Sequence, residues 1–380
     1  MFEEEMRRYL GARSCLFVSS GRTALVSILR AMKGLSGPGR DEVVLPSYTC
    51  YSVPAAVVRA GLKVRLCDVD PATLDYDREA LARTDFRRVL CLVSTSLYGI
   101  PNDLPSLVRR AREAGVFLVD DAAQCLGATI EGRSVGTFGD AGVYSFDKGK
   151  SITSIEGGVV VCSSDVLVAT LPCVLQGLAT PSAAERALRV AKLIGYAAFL
   201  KPALYGIPAR IPSLGLGTTV YSTEFPLETY TPELGAMAAR LFGRLPEINA
   251  RRVEIARRLG RELNGVPGLR MVTPHPGSTP VYLRYPILLT QPEGRGELVS
   301  RLKIAGLGVS TSYPTALDAV PDLRPALVNG SERFPGGAQV ARSIVTLPTH
   351  AYVREHDLSR TVAIVGSQPV CGAGRPRPCM

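Results

Sequence analysis

Residues 144–158 read Tyr-Ser-Phe-Asp-Lys-Gly-Lys-Ser-Ile-Thr-Ser-Ile-Glu-Gly-Gly, and this is the most informative stretch of the chain. It places two lysines, Lys148 and Lys150, in a loop of small residues between two apolar runs. A lysine held at a fixed depth among Ser, Gly and Thr is partly desolvated, which favours the neutral amine that attacks an aldehyde. Lys150 is therefore a candidate for a Schiff base, with a solvated loop lysine as the alternative interpretation.

The composition is typical of a globular, enzyme-sized chain. Its 380 residues exceed the length at which single hydrophobic cores stop growing, which predicts two domains. The net charge of +10 comes from arginine-rich stretches such as 251–258 without a basic–aromatic stripe, so we expect anionic small molecules or a membrane surface and no nucleic acid. Nine scattered cysteines and three histidines argue against a zinc site or a disulfide framework. Reduced thiols and the acidic start at residues 3–5 predict a cytoplasmic protein without a secretion signal.

Short apolar runs rich in branched residues alternate with helix-length segments through the first half of the chain. The runs are 16–18, 42–45, 63–66, 89–93, 116–119 and 159–161. This alternation predicts an α/β fold with a doubly wound, mostly parallel sheet covered by helices. Residues 232–264 predict one long helix, and a mixed α+β segment follows it. We expect a large domain over 1–235, a smaller C-terminal domain over 236–366 and an unstructured tail over 367–380.

Two strand ends offer sites for charged groups, at the edge where open α/β sheets bind ligands. Residues 19–23, Ser-Ser-Gly-Arg-Thr, precede a helix, and the N–H groups of its first turn with Arg22 would bind an anion; an ordinary N-capped helix is the alternative. Asp120 and Asp121 end a buried apolar strand, where a carboxylate is costly unless a cation satisfies it. A protonated pyridine nitrogen would do so, which with Lys150 indicates pyridoxal 5'-phosphate (PLP); a helix N-cap is the alternative.

Two further strand ends carry hydroxyls and aromatic rings. They are Pro46-Ser47-Tyr48-Thr49-Cys50-Tyr51-Ser52 and Ser96-Leu97-Tyr98-Gly99. Each alone is typical of loop chemistry, and their shared edge favours a site.

With these pieces in this order, the chain resembles the DegT/StrS family of PLP-dependent sugar aminotransferases, which belong to the aspartate-aminotransferase (fold type I) class. The resemblance runs from about Phe2 to about Val365. The matching motifs are Ser20 to Leu25, Asp41 to Pro46, Asp68 to Pro71 with Thr73, Leu97-Tyr98-Gly99 with Pro101 and Asp103, Asp121 to Ala128, Ser145-Phe146 with Lys150 and Glu156 to Gly158, and Leu347-Pro348-Thr349-His350. The resemblance implies a PLP-dependent transferase fold and a homodimer with shared active sites.

The resemblance also implies roles for individual residues. Lys150 would carry PLP as a Schiff base and shuttle protons, whereas Lys148 would be a secondary cation near the phosphate. Asp121 would pair with the pyridine nitrogen. Gln124 would lie against one ring face, and Cys50 or Tyr51 against the other. The cofactor-binding residues implied are Gly21, Arg22, Thr23, Cys50, Asp121, Gln124, Ser145 and Lys150.

The implied function is transfer of an amino group from an amino acid, typically glutamate, to a keto sugar carried on a nucleotide diphosphate. Three alternatives stay open. One is a PLP-dependent sugar dehydratase, a branch of the family that has histidine where this chain has Lys150. The others are a different PLP lyase and a non-catalytic protein that binds PLP or a sugar nucleotide. A carbonyl acceptor other than a sugar is also compatible with the sequence.

Three departures from the family pattern mark this chain. The family's first motif already begins at Phe2. Glu228-Thr229-Tyr230 stands where the family has Asn-x-Arg, which reaches the partner subunit's phosphate, and Arg22 would compensate for that lost cation. Residues 187–216 form a helical, apolar insertion broken by lysines and prolines, which argues against a transmembrane span. We expect a helical hairpin packed on the large domain, with peripheral membrane contact through 187–216 as the alternative.

Overall fold

The structure is a computed structural model that describes residues 1–199 and 220–367. Residues 200–216 of the predicted insertion lie outside the described residues, as does the predicted tail from residue 368 onward. Within the described ranges no helix combines the length and apolar character that crossing a membrane requires.

The described elements alternate strand and helix through the first half of the chain. The strands are β1 (Ser14–Val18), β2 (Glu42–Pro46), β3 (Lys63–Cys67), β4 (Val89–Thr95), β5 (Phe117–Asp121), β6 (Thr129–Ile130), β7 (Arg133–Ser134), β8 (Ala141–Ser145), β9 (Gly158–Cys162), β10 (Leu269–Met271), β11 (Ser278–Thr279), β12 (Arg284–Leu289) and β13 (Ile344–Pro348). The helices are α1 (Phe2–Leu10), α2 (Gly21–Leu35), α3 (Ser52–Arg59), α4 (Arg78–Arg83), α5 (Leu104–Ala114), α6 (Asp165–Gln176), α7 (Ala183–Phe199), α8 (Pro232–Phe242), α9 (Leu245–Leu263), α10 (Arg295–Ile304), α11 (Pro335–Ser343) and α12 (Glu355–Gly366). Short 3₁₀ turns cover 97–99, 292–294, 317–319 and 321–326.

The main sheet has seven strands in the order β1-β9-β8-β5-β4-β2-β3. The strands from β8 to β3 pair in parallel, and β9 pairs antiparallel with both β8 and β1. The mostly parallel sheet predicted from the alternation of runs and helices is therefore confirmed. All six predicted runs overlap strands of this sheet.

Helices cover both faces of the main sheet. Alternate residues of each strand point to opposite faces, so Val43 and Val119 pack with α2, α3 and α6, whereas Val44 and Leu118 pack with α1, α5 and α8. This arrangement hides both faces and leaves the strand ends as the accessible edge. The sheet is doubly wound, as the sequence indicates.

Two features of the fold differ from the sequence-based expectations. The predicted long helix over 232–264 is wrong: it is two helices, α8 and α9, separated at Gly243 and Arg244. Pro246 explains the break, because its ring has no N–H and would clash with the carbonyl of Phe242 in a continuous helix. The strand β8 is absent from the predicted runs because its sequence, Ala-Gly-Val-Tyr-Ser, has a single β-branched aliphatic residue.

The C-terminal part builds a second, antiparallel sheet in the order β10-β12-β13. Its apolar face packs on leucines of α9, α10 and α12, among them Leu259, Leu298 and Leu358. A small sheet, β11-β6-β7, joins the C-terminal part to the main one. The predicted domain boundary at 235/236 falls inside α8, whose Ala238 and Phe242 pack with the core of the main sheet. The division into domains stays a prediction.

Candidate active site

Four loops leave the carboxyl ends of neighbouring parallel strands. They follow β2, β4, β5 and β8, which are adjacent in the sheet, and cover 47–51, 96–103, 122–128 and 146–157. Because parallel strands end at the same edge, the four motifs singled out in the sequence share one side of the molecule. Among residues 1–199 and 220–367, no three His, Cys, Asp or Glu side chains gather as a metal site.

Asp121 is the half-buried carboxylate at the end of β5. Its Oδ1 accepts a hydrogen bond from the N–H of Ala123 at 3.0 Å. Burial raises the pKa of Asp121, while the Ala123 amide and the positive charge of Lys150 act to lower it. The charge of Lys150 therefore acts on Asp121 from the neighbouring loop. The neighbouring Asp120 faces the other side of the sheet, where Oδ2 accepts bonds from the amides of Gly136 and Phe138 at 2.6 and 3.2 Å.

The lysine loop, residues 146–157, separates the two lysines by exposure. Lys148 is exposed and its amide bonds the side chain of Asp147, whereas Lys150 is half-buried at the end of a turn closed by its N–H to the Asp147 carbonyl at 3.2 Å. The loop is fixed at its far end by the N–H of Ser154, which donates to the carbonyl of Phe146 at 3.0 Å. The two lysines therefore differ in depth, and the choice of Lys150 as the functional one stays a prediction.

The first turn of α2 lies directly against the end of β8. A Cβ on Gly21 would stand 3.3 Å from the Cβ of Ser145, so the glycine allows this close approach. Ser20 caps the helix by accepting from the Thr23 N–H at 3.1 Å, and Thr23 is fully buried. Arg22 is half-buried at the same turn. The helix N-terminus, Arg22 and the Ser145 hydroxyl lie together at this turn, and their role in binding an anion stays a prediction.

Gln124 is held between two tyrosines above the edge of the sheet. The N–H of Tyr98 donates to Gln124 Oε1 at 2.9 Å, and Gln124 Nε2 donates to the Tyr313 hydroxyl at 3.1 Å. The ring of Tyr48 lies 5.6 Å from that of Tyr313. Cys50 is half-buried beside this group and its thiol donates to Ser52 at 3.3 Å. These two hydrogen bonds orient the Gln124 side chain.

Sequence reasoning missed Tyr313 and did not assign a role to Tyr230. Tyr313 enters the site from the C-terminal part of the chain, where the hydroxyl-rich segment Thr311-Ser312-Tyr313-Pro314 was its only signal. Tyr230 reaches the lysine loop through the Ser154 hydroxyl, at 2.6 Å. Both contacts join segments far apart in sequence, which local patterns do not reveal.

The charged and polar groups at this edge of the sheet match the groups that PLP needs for binding. Asp121 offers a carboxylate to a ring nitrogen, Lys150 an amine at the same edge, and the α2 turn the N–H groups that a phosphate needs. The glycine-lined approach of Gly21 to Ser145 brings the Ser145 hydroxyl to that turn. The backbone N–H of Thr23 already donates to the Ser20 side chain. Among the residues predicted to contact the phosphate, Arg22 and Ser145 are therefore better placed than Thr23.

Relatives of similar sequence include named aminotransferases, and one is named as a GDP-4-keto-6-deoxy-D-mannose 3-dehydratase. Over 373 residues the chain is 28% identical to a dTDP-4-dehydro-2,3,6-trideoxy-D-glucose 4-aminotransferase of Saccharopolyspora spinosa, covering 95% of this chain and 86% of that protein. It is 34% identical over 170 residues to a GDP-perosamine synthase of Caulobacter vibrioides, and 36% identical over 160 residues to a 3-amino-5-hydroxybenzoate synthase of Amycolatopsis mediterranei. These two matches cover 45% and 42% of this chain, and 45% and 40% of the relatives.

The fold is also similar to that of solved structures, one of which is named as an aminotransferase. The S. venezuelae protein DesV, solved in complex with a ketimine intermediate, superposes with a TM-score of 0.76 at 25% identity, over 96% of this chain and 87% of that one. The aminotransferase TlmJ from Streptoalloteichus hindustanus gives a TM-score of 0.75 at 27% identity, over 97% and 89%. The predicted fold type I class is confirmed.

A family model matches residues 1–198 and 233–366 and leaves 199–232 unmatched. The unmatched residues include part of the insertion that the sequence marks as a departure from the family. The match covers most of the chain, and it confirms the resemblance inferred from the motifs. The chain is an aminotransferase and belongs to the DegT/DnrJ/EryC1/StrS aminotransferase family.

Proposed function

We propose that this aminotransferase uses PLP, held on Lys150, to move an amino group from glutamate to a keto sugar carried on a nucleotide diphosphate. The observation that carries the proposal is that Asp121 ends β5 and the loop of Lys150 follows the adjacent parallel strand β8, so both residues lie at one edge of the sheet. PLP, when bound, supplies an electron sink for the bonds around the amino carbon. The remaining chemistry belongs to side chains of this chain.

Lys150 is the residue proposed to move protons. Its half-buried position in a fixed loop holds the amine beside the reacting carbon, where it takes a proton from one atom and returns it to another. Asp121 keeps the ring nitrogen protonated through its negative charge. Gln124 and Cys50 would flank the ring, with Gln124 oriented by the tyrosine contacts described above. Arg22, Ser145 and the backbone at Gly21 would bind the phosphate, and Thr23, whose amide donates to Ser20, would hold the turn in place.

The proposal for the acceptor rests on the relatives and on charge. Several relatives are named for dTDP-, GDP- or UDP-linked sugars. One relative is a 3-amino-5-hydroxybenzoate synthase, so a carbonyl acceptor other than a sugar is the alternative. The net charge of +10 suits a diphosphate-bearing substrate. We also propose a homodimer with shared active sites.

The decisive experiment follows the absorbance of the PLP-loaded protein. Glutamate should convert the band of the lysine-bound cofactor to that of the aminated cofactor, and a keto sugar nucleotide should restore it. A dehydratase would release water from the sugar without leaving an amino group on it. A protein that binds PLP without turnover would show neither change. A screen of dTDP-, GDP- and UDP-linked keto sugars for restoration of the band identifies the nucleotide.

Arg22 provides a separate prediction about the phosphate. We expect Arg22→Ala to raise the PLP dissociation constant by about tenfold, because a charged hydrogen bond to a phosphate is among the stronger ones. Arg30→Ala, two turns further along α2 on its exposed side, is the matched control and should bind as the wild type does. Equal dissociation constants for the Arg22 variant and the wild type, measured by equilibrium dialysis, contradict the role of Arg22.

A further inference from the structure

Arg189 of α7 joins two carboxylates that come from different parts of the site. Its guanidinium bonds the side chain of Glu228, lies 3.4 Å from the carboxylate of Glu156, and donates to the Thr231 hydroxyl at 3.2 Å. The side chains of Arg189 and Glu228 are only 12% and 13% exposed. Ion pairs at this depth are screened little by solvent, unlike the exposed pairs elsewhere on the chain.

Glu228 belongs to a segment, residues 225–231, that we call the strap. On one side the strap holds the turn before α2. The N–H of Ser19 donates to the Glu228 carbonyl at 3.0 Å, and the Thr23 hydroxyl donates to the Pro226 carbonyl at 3.3 Å. The guanidinium of Arg22 lies over the ring of Phe225, 4.5 Å from its centre. The strap therefore touches the proposed phosphate turn at three points.

On its other side the strap holds the lysine loop. The Tyr230 hydroxyl and the Ser154 hydroxyl are 2.6 Å apart, and Ser154 in turn donates to the Glu156 carbonyl at 2.6 Å. The ring of Tyr230 also packs against Gly157, where a Cβ would stand 2.8 Å from it. The strap thus connects the loop that carries Lys150 with the turn that carries Arg22.

Among the described ion pairs, Arg189 is the cation that faces both Glu228 and Glu156. Glu228 places a carboxylate beside the turn before α2, where its carbonyl also accepts from the Ser19 N–H. Glu156, from the lysine loop, is a second carboxylate directed at the same guanidinium. Loss of the guanidinium would leave Glu228 partly buried without its cation, which is strongly unfavourable. The strap itself lies within 199–232, the range that the family model does not match.

We propose that Arg189 is a positioning residue that latches the strap to the lysine loop within one protomer. Through Glu228 and Glu156 it fixes the depth of Lys150 relative to the phosphate turn. The importance of that depth for PLP rests on the function proposed above, whereas the latch itself is a property of the PLP-free chain. Arg189 touches neither the cofactor nor the substrate in this scheme.

Hydrogen exchange of the PLP-free protein tests the latch directly. The peptide covering 146–158 reports on the lysine loop, and the peptide covering 89–95 reports on the core strand β4. We expect Arg189→Met to speed exchange of the loop peptide by about tenfold or more while β4 stays protected, because the loop opens locally once the latch is lost. Arg189→Lys should recover part of the protection.

Arg186→Met is the matched control. Arg186 lies one turn earlier on α7 and pairs with Glu233 at 3.0 Å, but both side chains are about two-fifths exposed and neither contacts the lysine loop in the described contacts. Its loop peptide should exchange at the wild-type rate. Wild-type exchange in Arg189→Met, or equal acceleration in Arg186→Met, overturns the latch.

Two further measurements separate the possible causes of a change. If Arg189→Met also exposes β4, the variant has unfolded globally, and Glu228→Gln decides: acceleration confined to the loop supports the latch and uniform acceleration overturns it. In the PLP-loaded protein, Arg189→Met should raise the PLP dissociation constant by about tenfold. If the wild type does not take up PLP, the proposed function fails, but exchange of the PLP-free chain still decides the latch.

Discussion

Lys150→Ala is expected to lower turnover by about four orders of magnitude and to abolish covalent attachment of PLP. The amine is the group proposed both to hold the cofactor and to move the proton, so one substitution removes both tasks. Alanine leaves the loop's hydrogen bonds intact, because Lys150 takes part in them through its backbone N–H and those of Ser154 do not involve the Lys150 side chain. The expected loss is therefore chemical and should leave the melting temperature of the PLP-free protein close to that of the wild type.

Borohydride reduction followed by peptide mass analysis checks this prediction. In the wild type the reduced cofactor should be found on the peptide that contains Lys150, and in Lys150→Ala on none. Lys148→Ala is the matched control, since Lys148 lies two residues away and is exposed. It should keep covalent PLP and most of its turnover. Reduced cofactor on Lys148, or undiminished turnover in Lys150→Ala, would show that the wrong lysine has been chosen.

Strand runs and strand-end motifs were predictable from the sequence because both are local. The branched apolar side chains of Val43 and Val44 are enough to predict a buried strand. The motif at Asp121 follows its strand directly in the sequence. Since parallel strands end at one edge, the meeting of Lys150 with Asp121 followed from topology. The break between α8 and α9 also has a local cause, Pro246. The helical periodicity on both sides of Pro246 led to the wrong prediction of one continuous helix.

Contacts between distant segments were not predictable in this way. Tyr313 bonds Gln124 across 189 residues, and Tyr230 bonds Ser154 across 76. Neither contact leaves a periodicity or a spacing in the sequence. The close approach of backbones is similar: a Cβ on Gly158 would stand 2.2 Å from the carbonyl oxygen of Ser20, so that position requires glycine, but the partner is visible only in the fold. The strap and its latch therefore come from the structure.

Asp121→Asn is the second substitution with a large expected effect, a fall in turnover of about 10²- to 10³-fold. Burial raises the pKa of the Asp121 carboxyl, and the Ala123 amide and a protonated ring nitrogen would favour its ionised form. Asparagine has nearly the same shape and can still accept from the Ala123 amide, but it carries no charge to hold the ring nitrogen protonated. Steady-state kinetics with glutamate and the absorbance of the bound cofactor measure the effect.

Asp120→Asn is the control, one residue earlier on the same strand. Asp120 faces the opposite side of the sheet, and burial raises its pKa to about 7 despite the bonds from Gly136 and Phe138. Because this folded pKa lies above the unfolded value, the contribution of Asp120 to stability is greatest at low pH and is lost as the pH rises through about 7. At pH 8 the free energy of unfolding of Asp120→Asn should therefore be at least as large as that of the wild type. It should also change less with pH.

The two variants together separate charge from packing. Turnover should fall in Asp121→Asn and stay near the wild-type value in Asp120→Asn, since only the first carboxylate lies on the side of Lys150. Asp121→Glu adds a stricter test: it keeps the charge but lengthens the side chain, so it should bind PLP and recover less than full turnover. Equal turnover in Asp121→Asn and the wild type would mean that the ring nitrogen does not need this carboxylate, and the assignment of Asp121 would be lost.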